Sequence, residues 1–146
     1  LNSYREPFMK SFETHGGDDT IALGRRLAHQ LPQRGLVLLV GNLGAGKTTL
    51  AKGIVSERTG TPIEDITSPT FTLIHEYGSV YHIDLYRLET EQELARLGLE
   101  EILDSNALVL VEWGERFPSL VAATQCRIEL RAGEQDVREV TLSTDA

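Results

Sequence analysis

The segment at residues 41–48 carries the strongest chemical signal in this sequence. It reads GNLGAGKT and fits the phosphate-binding pattern G-x-x-x-x-G-K-[ST]. Its glycines allow backbone turns that a Cβ would block, so that several N–H groups can point at one phosphate. Lys47 supplies a mobile positive charge for the β- and γ-phosphates, and Thr48 supplies a hydroxyl for Mg²⁺. The segment therefore predicts a nucleotide site with a bound Mg²⁺.

Two carboxylates follow apolar runs further along the chain. Asp84 follows VYHI at 80–83, and Glu112 follows LVLV at 108–111. An acid at the carboxyl end of a parallel strand points into the crevice where ligands bind. Either acid alone could be an ordinary surface group. Together they could divide the work, one holding the metal and the other orienting a water molecule, and the residues alone leave that division open.

The elements around the glycine-rich segment agree with this prediction. Residues 36–40 form an apolar run that predicts a buried strand, and residues 49–58 predict a helix with Leu50 and Ile54 on its inner face. We predict a three-layer α/β domain whose central sheet is mostly parallel with antiparallel additions. His75 and His82 lie in predicted strands without metal-ligand spacing, which favours structural roles for both. The other predicted strands are 10–14, 71–77, 80–84, 107–111, 125–131 and 137–143, and the other predicted helices are 21–31, 91–97 and 100–103.

Composition limits the class of protein. The 146 residues predict a single domain, with residues 1–8 as a non-native or unstructured extension before a start at Met9. The net charge of −8 argues against direct binding of nucleic acid by this chain alone. No apolar run approaches the roughly 20 residues of a membrane span, and no leader pattern opens the chain. With Cys126 as the one cysteine, the sequence predicts a reducing, cytoplasmic location.

Further sequence motifs bear on which nucleotide is bound and which reaction is catalysed. The sequence contains no Asn-Lys-x-Asp base-reading motif and no Asp-x-x-Gly after the second strand, so ATP is favoured over GTP. A small-molecule kinase of the P-loop class stays open as an alternative, although no arginine-rich lid stands out. A scaffold that binds ATP without hydrolysing it is the third alternative. The candidate lid arginines are scattered over Arg116, Arg127, Arg131 and Arg138.

Five blocks in fixed order resemble the TsaE (YjeE) family of bacterial P-loop ATPases. They are GNLGAGKTTL, SPTFTLIHEY, YHIDLYRL, LGLEEIL and LVEWGER, and TIALGRRLA resembles the family's first helix. The resemblance implies a weak ATPase that acts with the proteins TsaB and TsaD in making threonylcarbamoyladenosine in tRNA. In that assembly a partner carries the tRNA, so this chain would meet tRNA only indirectly.

The resemblance also implies roles for individual residues. Thr48 and Glu112 would hold Mg²⁺, Lys47 would be central to phosphate binding, and Asp84 would position or activate water. Thr70 would belong to a switch-like segment, Trp113 would lie beside the nucleotide, and Thr20 would approach it. The implied phosphate-binding residues are Gly41, Asn42, Leu43, Gly44, Ala45, Gly46, Lys47, Thr48 and Thr49.

Overall fold

Seven strands form one mixed sheet in a computed structural model that describes residues 8–70 and 72–144. Their order across the sheet is β1-β7-β6-β2-β5-β4-β3. The four central strands β6, β2, β5 and β4 run parallel, while β1, β7 and β3 pair antiparallel. The sequence-based prediction of a mostly parallel sheet with antiparallel additions is therefore confirmed. The strands are β1 Phe8–His15, β2 Gly35–Val40, β3 Ile74–Tyr77, β4 Val80–Asp84, β5 Leu108–Glu112, β6 Cys126–Ala132 and β7 Val137–Thr144.

Helices cover both faces of this sheet. On one face, the buried side chains of α1 and α2 pack with Leu39 and Leu110 from the central strands. On the other face, side chains from the shorter helices pack with Leu38 and Val111. Alternate residues of β2 and β5 thus enter opposite cores, as expected for strands buried on both sides. The helices are α1 Gly17–Leu27, α2 Lys47–Thr59, α3 Glu91–Ala95, α4 Leu99–Leu103 and α5 Pro118–Ala123, with 3₁₀ turns at Ile63–Asp65 and Gly114–Arg116.

Two glycines allow α1 and α2 to pack unusually close together. A Cβ built on Gly24 would overlap the carbonyl oxygen of Leu50 and lie 3.1 Å from the Cα of Gly53. A Cβ built on Gly53 would overlap the carbonyl oxygen of Ile21. The backbones of the two helices therefore touch directly, which fixes the position of α2 and of the site residues at its N-terminus.

Three predicted boundaries differ from the structure by three residues or more. Helix α1 begins after Gly16 rather than at residue 21, because Gly16 takes φ +94° and the carboxylate of Asp19 accepts the N–H of His15. It ends at Leu27, four residues early. Of the predicted strand 71–77, residue 71 lies outside the described residues, and β3 begins at Ile74, since Leu73 has φ +69° and donates its N–H to the carbonyl of Pro69.

The predicted N-terminal extension falls mostly outside the described residues. Residues 1–7 are not described, and Phe8 is the first residue of β1, where it pairs with Thr144. Within the described ranges, each helix is too short or too polar to cross a lipid bilayer.

Candidate nucleotide site

The glycine-rich loop connects the end of β2 to the first turn of α2. Gly44 and Gly46 take left-handed backbone conformations, with φ +80° and +105°. Residues with a Cβ adopt these conformations only with steric strain. A Cβ on Gly41 would lie 2.6 Å from the carbonyl oxygen of Leu130. Gly46 is the N-cap of α2 and makes no side-chain cap, so the helix presents its positive dipole end to the loop. This geometry suits an anion at the start of α2.

Lys47 occupies the first position of α2 and is only 4% exposed. Its Nζ donates to the carbonyl of Gly41 at 2.6 Å and lies 3.4 Å from the ring centroid of Trp113. Burial lowers the pKa of Lys47, and the carboxylates of Glu112, Glu115 and Asp84 act in the opposite direction. The ammonium is therefore poorly hydrated, and the nearby carboxylates favour its charged form, which is the form that attracts a phosphate.

Asp84 and Glu112 occupy matching positions on neighbouring parallel strands. They are paired in the register of β4 with β5, and both side chains are buried. Thr48 donates its hydroxyl to Glu112 Oε2 at 2.9 Å, which joins the start of α2 to the end of β5. Asp84 Oδ1 accepts the N–H of Tyr86 at 2.9 Å. The two acids that the sequence indicated thus meet at one edge of the sheet, beside the glycine-rich loop.

The pKa of Asp84 lies above its ordinary value. Burial is the main cause and the nearby carboxylate of Glu112 adds to it, while the hydrogen bond from the Tyr86 N–H works against the shift. The deprotonated form of Asp84 is therefore less stable in the folded chain than in water. Such a carboxylate is a better proton acceptor than an exposed one.

Asparagine in place of Asp84 is expected to stabilise the fold at neutral pH. A raised folded-state pKa means that the native state binds more protons than the unfolded state, so the free energy of unfolding falls as pH rises through that window. Asparagine does not ionise and keeps an oxygen for the N–H of Tyr86. We expect Asp84→Asn to raise the free energy of unfolding at pH 7 by about 1 kcal/mol.

Urea unfolding measured at several pH values checks this expectation. The gain should shrink as the pH is lowered through the folded-state pKa and should vanish toward about 3, below the ordinary carboxyl pKa, where the carboxyl is protonated in both states. Asp65→Asn, at an exposed carboxylate, is the matched control and should change the free energy by less than about 0.5 kcal/mol. Loss of stability in Asp84→Asn at pH 7 would contradict the assigned origin of the shift.

His82 is the main site residue that the sequence reasoning missed. Its Nε2 lies 2.6 Å from Glu112 Oε2, and its side chain is fully buried. His82 is two residues before Asp84, and side chains with this spacing share one face of a strand. That alternation is the signal that could have placed His82 toward the acids. Which residue of β5 His82 meets depends on the register of β4 against β5, which the sequence does not show.

Arg116 fixes the chain that follows Asp84. One guanidinium nitrogen, Nη2, donates to the carbonyl oxygens of Leu85, Tyr86 and Leu88 at 2.7, 2.8 and 3.2 Å. The ring of Tyr86 then lies 5.0 Å from the ring of Trp113, measured between centroids. Trp113 itself has φ +66°, so its backbone turns sharply after β5. These contacts build an aromatic wall next to Lys47.

A cleft of about 330 Å³ brings most of the predicted site residues together. Thr70 lines it, with its hydroxyl 2.6 Å from the hydroxyl of Ser68. Thr20 lies elsewhere, in a neighbouring pocket of about 140 Å³, and its hydroxyl donates to the carbonyl of Gly16. Gly41, Asn42 and Ala45 line a third pocket toward β6 and β7. The cleft is lined by Leu43, Gly44, Gly46, Lys47, Thr48, Thr49, Ser68, Thr70, Asp84, Tyr86, Glu112 and Trp113.

The donor set in the cleft fits a Mg²⁺-bound nucleotide. The Thr48 hydroxyl and the Glu112 carboxylate both offer oxygen atoms, and Thr48 Oγ1 lies 2.9 Å from Glu112 Oε2. Mg²⁺ prefers oxygen, and it is commonly bound through one or two protein groups together with substrate phosphates and water. The start of α2 and the buried ammonium of Lys47 supply the positive field that such phosphates need.

Comparisons with known proteins agree with this geometry. A family model described as "Threonylcarbamoyl adenosine biosynthesis protein TsaE" matches residues 14–140. A protein of Nostoc sp. named tRNA threonylcarbamoyladenosine biosynthesis protein TsaE is 40% identical over 136 residues, covering 86% of this chain and 80% of its own length. The Bacillus subtilis protein of the same name is 34% identical over 136 residues, covering 90% and 84%.

A solved structure shares the fold. The crystal structure of Bacillus subtilis YdiB superposes with a TM-score of 0.73 at 28% sequence identity, and the match covers 98% of this chain and 90% of that one. The family model spans most of the chain, including both carboxylates and the glycine-rich loop. The chain therefore belongs to the TsaE family.

Proposed function

We propose that this chain is the ATP-binding and ATP-hydrolysing component of the bacterial assembly that makes N6-threonylcarbamoyladenosine in tRNA. In this proposal it supports turnover of the TsaB–TsaD complex. The observation that carries the proposal is that Lys47 and Thr48 line the same cleft as two buried carboxylates, Asp84 and Glu112. Membership of the TsaE family supports the choice of pathway.

The residues of the cleft take separate roles in this reaction. The loop N–H groups and Lys47 bind the phosphates, and Thr48 and Glu112 hold the metal. Bound there, Mg²⁺ would supply positive charge that offsets the negative charge of the phosphates. Asp84 orients the attacking water and receives its proton, a role that its raised pKa favours. Thr70 belongs to the segment that responds to the terminal phosphate.

The charge of the chain supports an indirect relation to tRNA. At −8 the protein repels a phosphate backbone, so we assign tRNA binding to the partners and the nucleotide-driven step to this chain. An acidic surface is also suited to docking on a basic protein partner.

ATP hydrolysis by the purified chain, measured alone and with TsaB and TsaD, tests the proposal. Low basal turnover that rises with the partners and disappears in Lys47→Ala would support it. Turnover that ignores the partners would contradict the assembly role, and phosphate recovered on a metabolite would select the small-molecule kinase. Tight ATP binding without turnover in any complex would select the scaffold.

A further inference from the structure

We propose that His82 is a positioning residue for the metal site, and that it acts by fixing the carboxylate of Glu112. The inference rests on the proposed function, because it concerns the coupling of Mg²⁺ to nucleotide binding in the same cleft. His82 would not touch the nucleotide. Its effect would pass through one oxygen atom of Glu112.

Two hydrogen bonds converge on that oxygen. His82 Nε2 lies 2.6 Å from Glu112 Oε2, and Thr48 Oγ1 lies 2.9 Å from the same atom. A carboxylate that holds Mg²⁺ is ionised and only accepts hydrogen bonds, so in the proposed role Nε2 of His82 is the donor. Among the described residues, Nδ1 of His82 is buried and has no hydrogen-bond partner. In the part of the chain that the structure describes, the hydrogen bond to Glu112 is therefore the interaction that orients this imidazole.

The backbone that carries His82 is held from both sides. In the sheet, His82 pairs with His75 of β3 and with Leu110 of β5. Glu112 is two residues beyond Leu110 on the same strand. The imidazole and the carboxylate thus project from adjacent central strands that keep one register. An anchor of this kind restricts the rotation of the carboxylate, which a mobile loop residue could not do.

A fixed carboxylate matters because Mg²⁺ demands near-ideal octahedral geometry. Partners that orient a metal ligand typically change metal affinity by about 10–100-fold when they are removed. A residue that only filled space would affect stability instead. It would have no particular influence on the difference between metal-bound and metal-free nucleotide binding.

Two amide substitutions separate these roles. The terminal nitrogen of glutamine lies as many bonds from Cβ as Nε2 of histidine, whereas that of asparagine matches Nδ1 and falls short of Glu112. His82→Gln should therefore rescue the hydrogen bond, and His82→Asn should lose it. His82→Met fills the volume without a polar donor and serves as the second variant that removes the bond, should the asparagine variant fail to fold.

Calorimetric titration with a non-hydrolysable ATP analogue, with Mg²⁺ and with EDTA, gives the readout. The ratio of the two affinities measures the coupling to Mg²⁺. We expect His82→Asn and His82→Met to lower this ratio by about tenfold or more, while His82→Gln stays within about threefold of the parent. Metal-free affinity should be unchanged within about twofold in all three, because the loop and Lys47 are untouched.

The outcomes distinguish this inference from the proposed function. A parent chain that neither binds the analogue nor responds to Mg²⁺ would overturn both. A parent that shows coupling, with His82→Asn and His82→Met showing the same coupling, would overturn the role of His82 alone. Equal losses in the glutamine and asparagine variants, or a parallel loss of metal-free binding, would show a merely structural residue and overturn it as well.

Discussion

Replacing Lys47 with methionine is expected to reduce ATP hydrolysis by at least about 100-fold while the chain stays folded. The ammonium is the positive side chain buried at the start of α2, and it lies where the phosphates of the proposed nucleotide would approach. Methionine preserves the apolar stem and removes the charge. No other group in the cleft lining carries a positive charge, so nothing there replaces it within the described residues.

Although Lys47→Met lowers activity, its free energy of unfolding should rise slightly or stay the same. Because burial lowers the pKa of Lys47, the folded state disfavours its charged form, and at neutral pH this costs stability that methionine would recover. The lost contacts with Gly41 and Trp113 offset that gain. Urea unfolding should therefore show a change below about 1 kcal/mol.

A control in the same helix tests whether charge alone explains the loss. Lys52→Met also removes a lysine from α2, at a half-buried position outside the lining of the cleft, and should hydrolyse ATP like the parent. Residual activity in Lys47→Met within about tenfold of the parent would contradict the assigned role, since one lost catalytic contact of this kind usually costs more.

Alanine at Gly53 is expected to lower the free energy of unfolding by about 2 kcal/mol or more. In an exposed helix interior this substitution would stabilise by roughly 1 kcal/mol, because alanine has the better helix propensity. Here the added Cβ would overlap the carbonyl oxygen of Ile21 and lie 3.1 Å from the backbone nitrogen of Arg25. Both atoms are backbone and cannot rotate away. The two helices must separate, so steric overlap outweighs propensity.

Gly17→Ala is the matched control for this prediction. Gly17 is the first residue of α1, and a Cβ there has no described atom within 4 Å. It should be neutral or stabilise by up to about 1 kcal/mol. Urea unfolding of both variants, at one protein concentration, gives the comparison. Equal stability of Gly53→Ala and the parent would contradict the direct backbone contact between α1 and α2.

The sequence was sufficient to predict the fold class, the family and the meeting of the two acids. Apolar runs before Asp84 and Glu112 marked buried parallel strands, and parallel strands end at the same edge of a sheet. The glycine-rich loop between a strand and a helix added the position of the candidate phosphate site. The roles of individual residues in catalysis and metal binding stay predictions.

Contacts across the sheet could not be read from the chain. The bond from His82 to Glu112 depends on the register of β4 against β5, and these residues are 30 positions apart. Periodicity shows which face a side chain occupies and not which neighbour it meets. The start of α1 was also missed, because the sequence does not show that Gly16 takes φ +94° or that the carboxylate of Asp19 accepts the N–H of His15.

Trp113 gives the cleft an optical reporter of its own. It is the single tryptophan of the chain, and a cationic ammonium lies 3.4 Å from the centroid of its ring. The field of a charge at that distance shifts the energy of the excited indole, so the emission wavelength of Trp113 depends on the distance of the ammonium from its ring. An anion that draws Lys47 away from the ring changes this field. Occupancy can thus be followed by the emission of the native protein, with no dye attached.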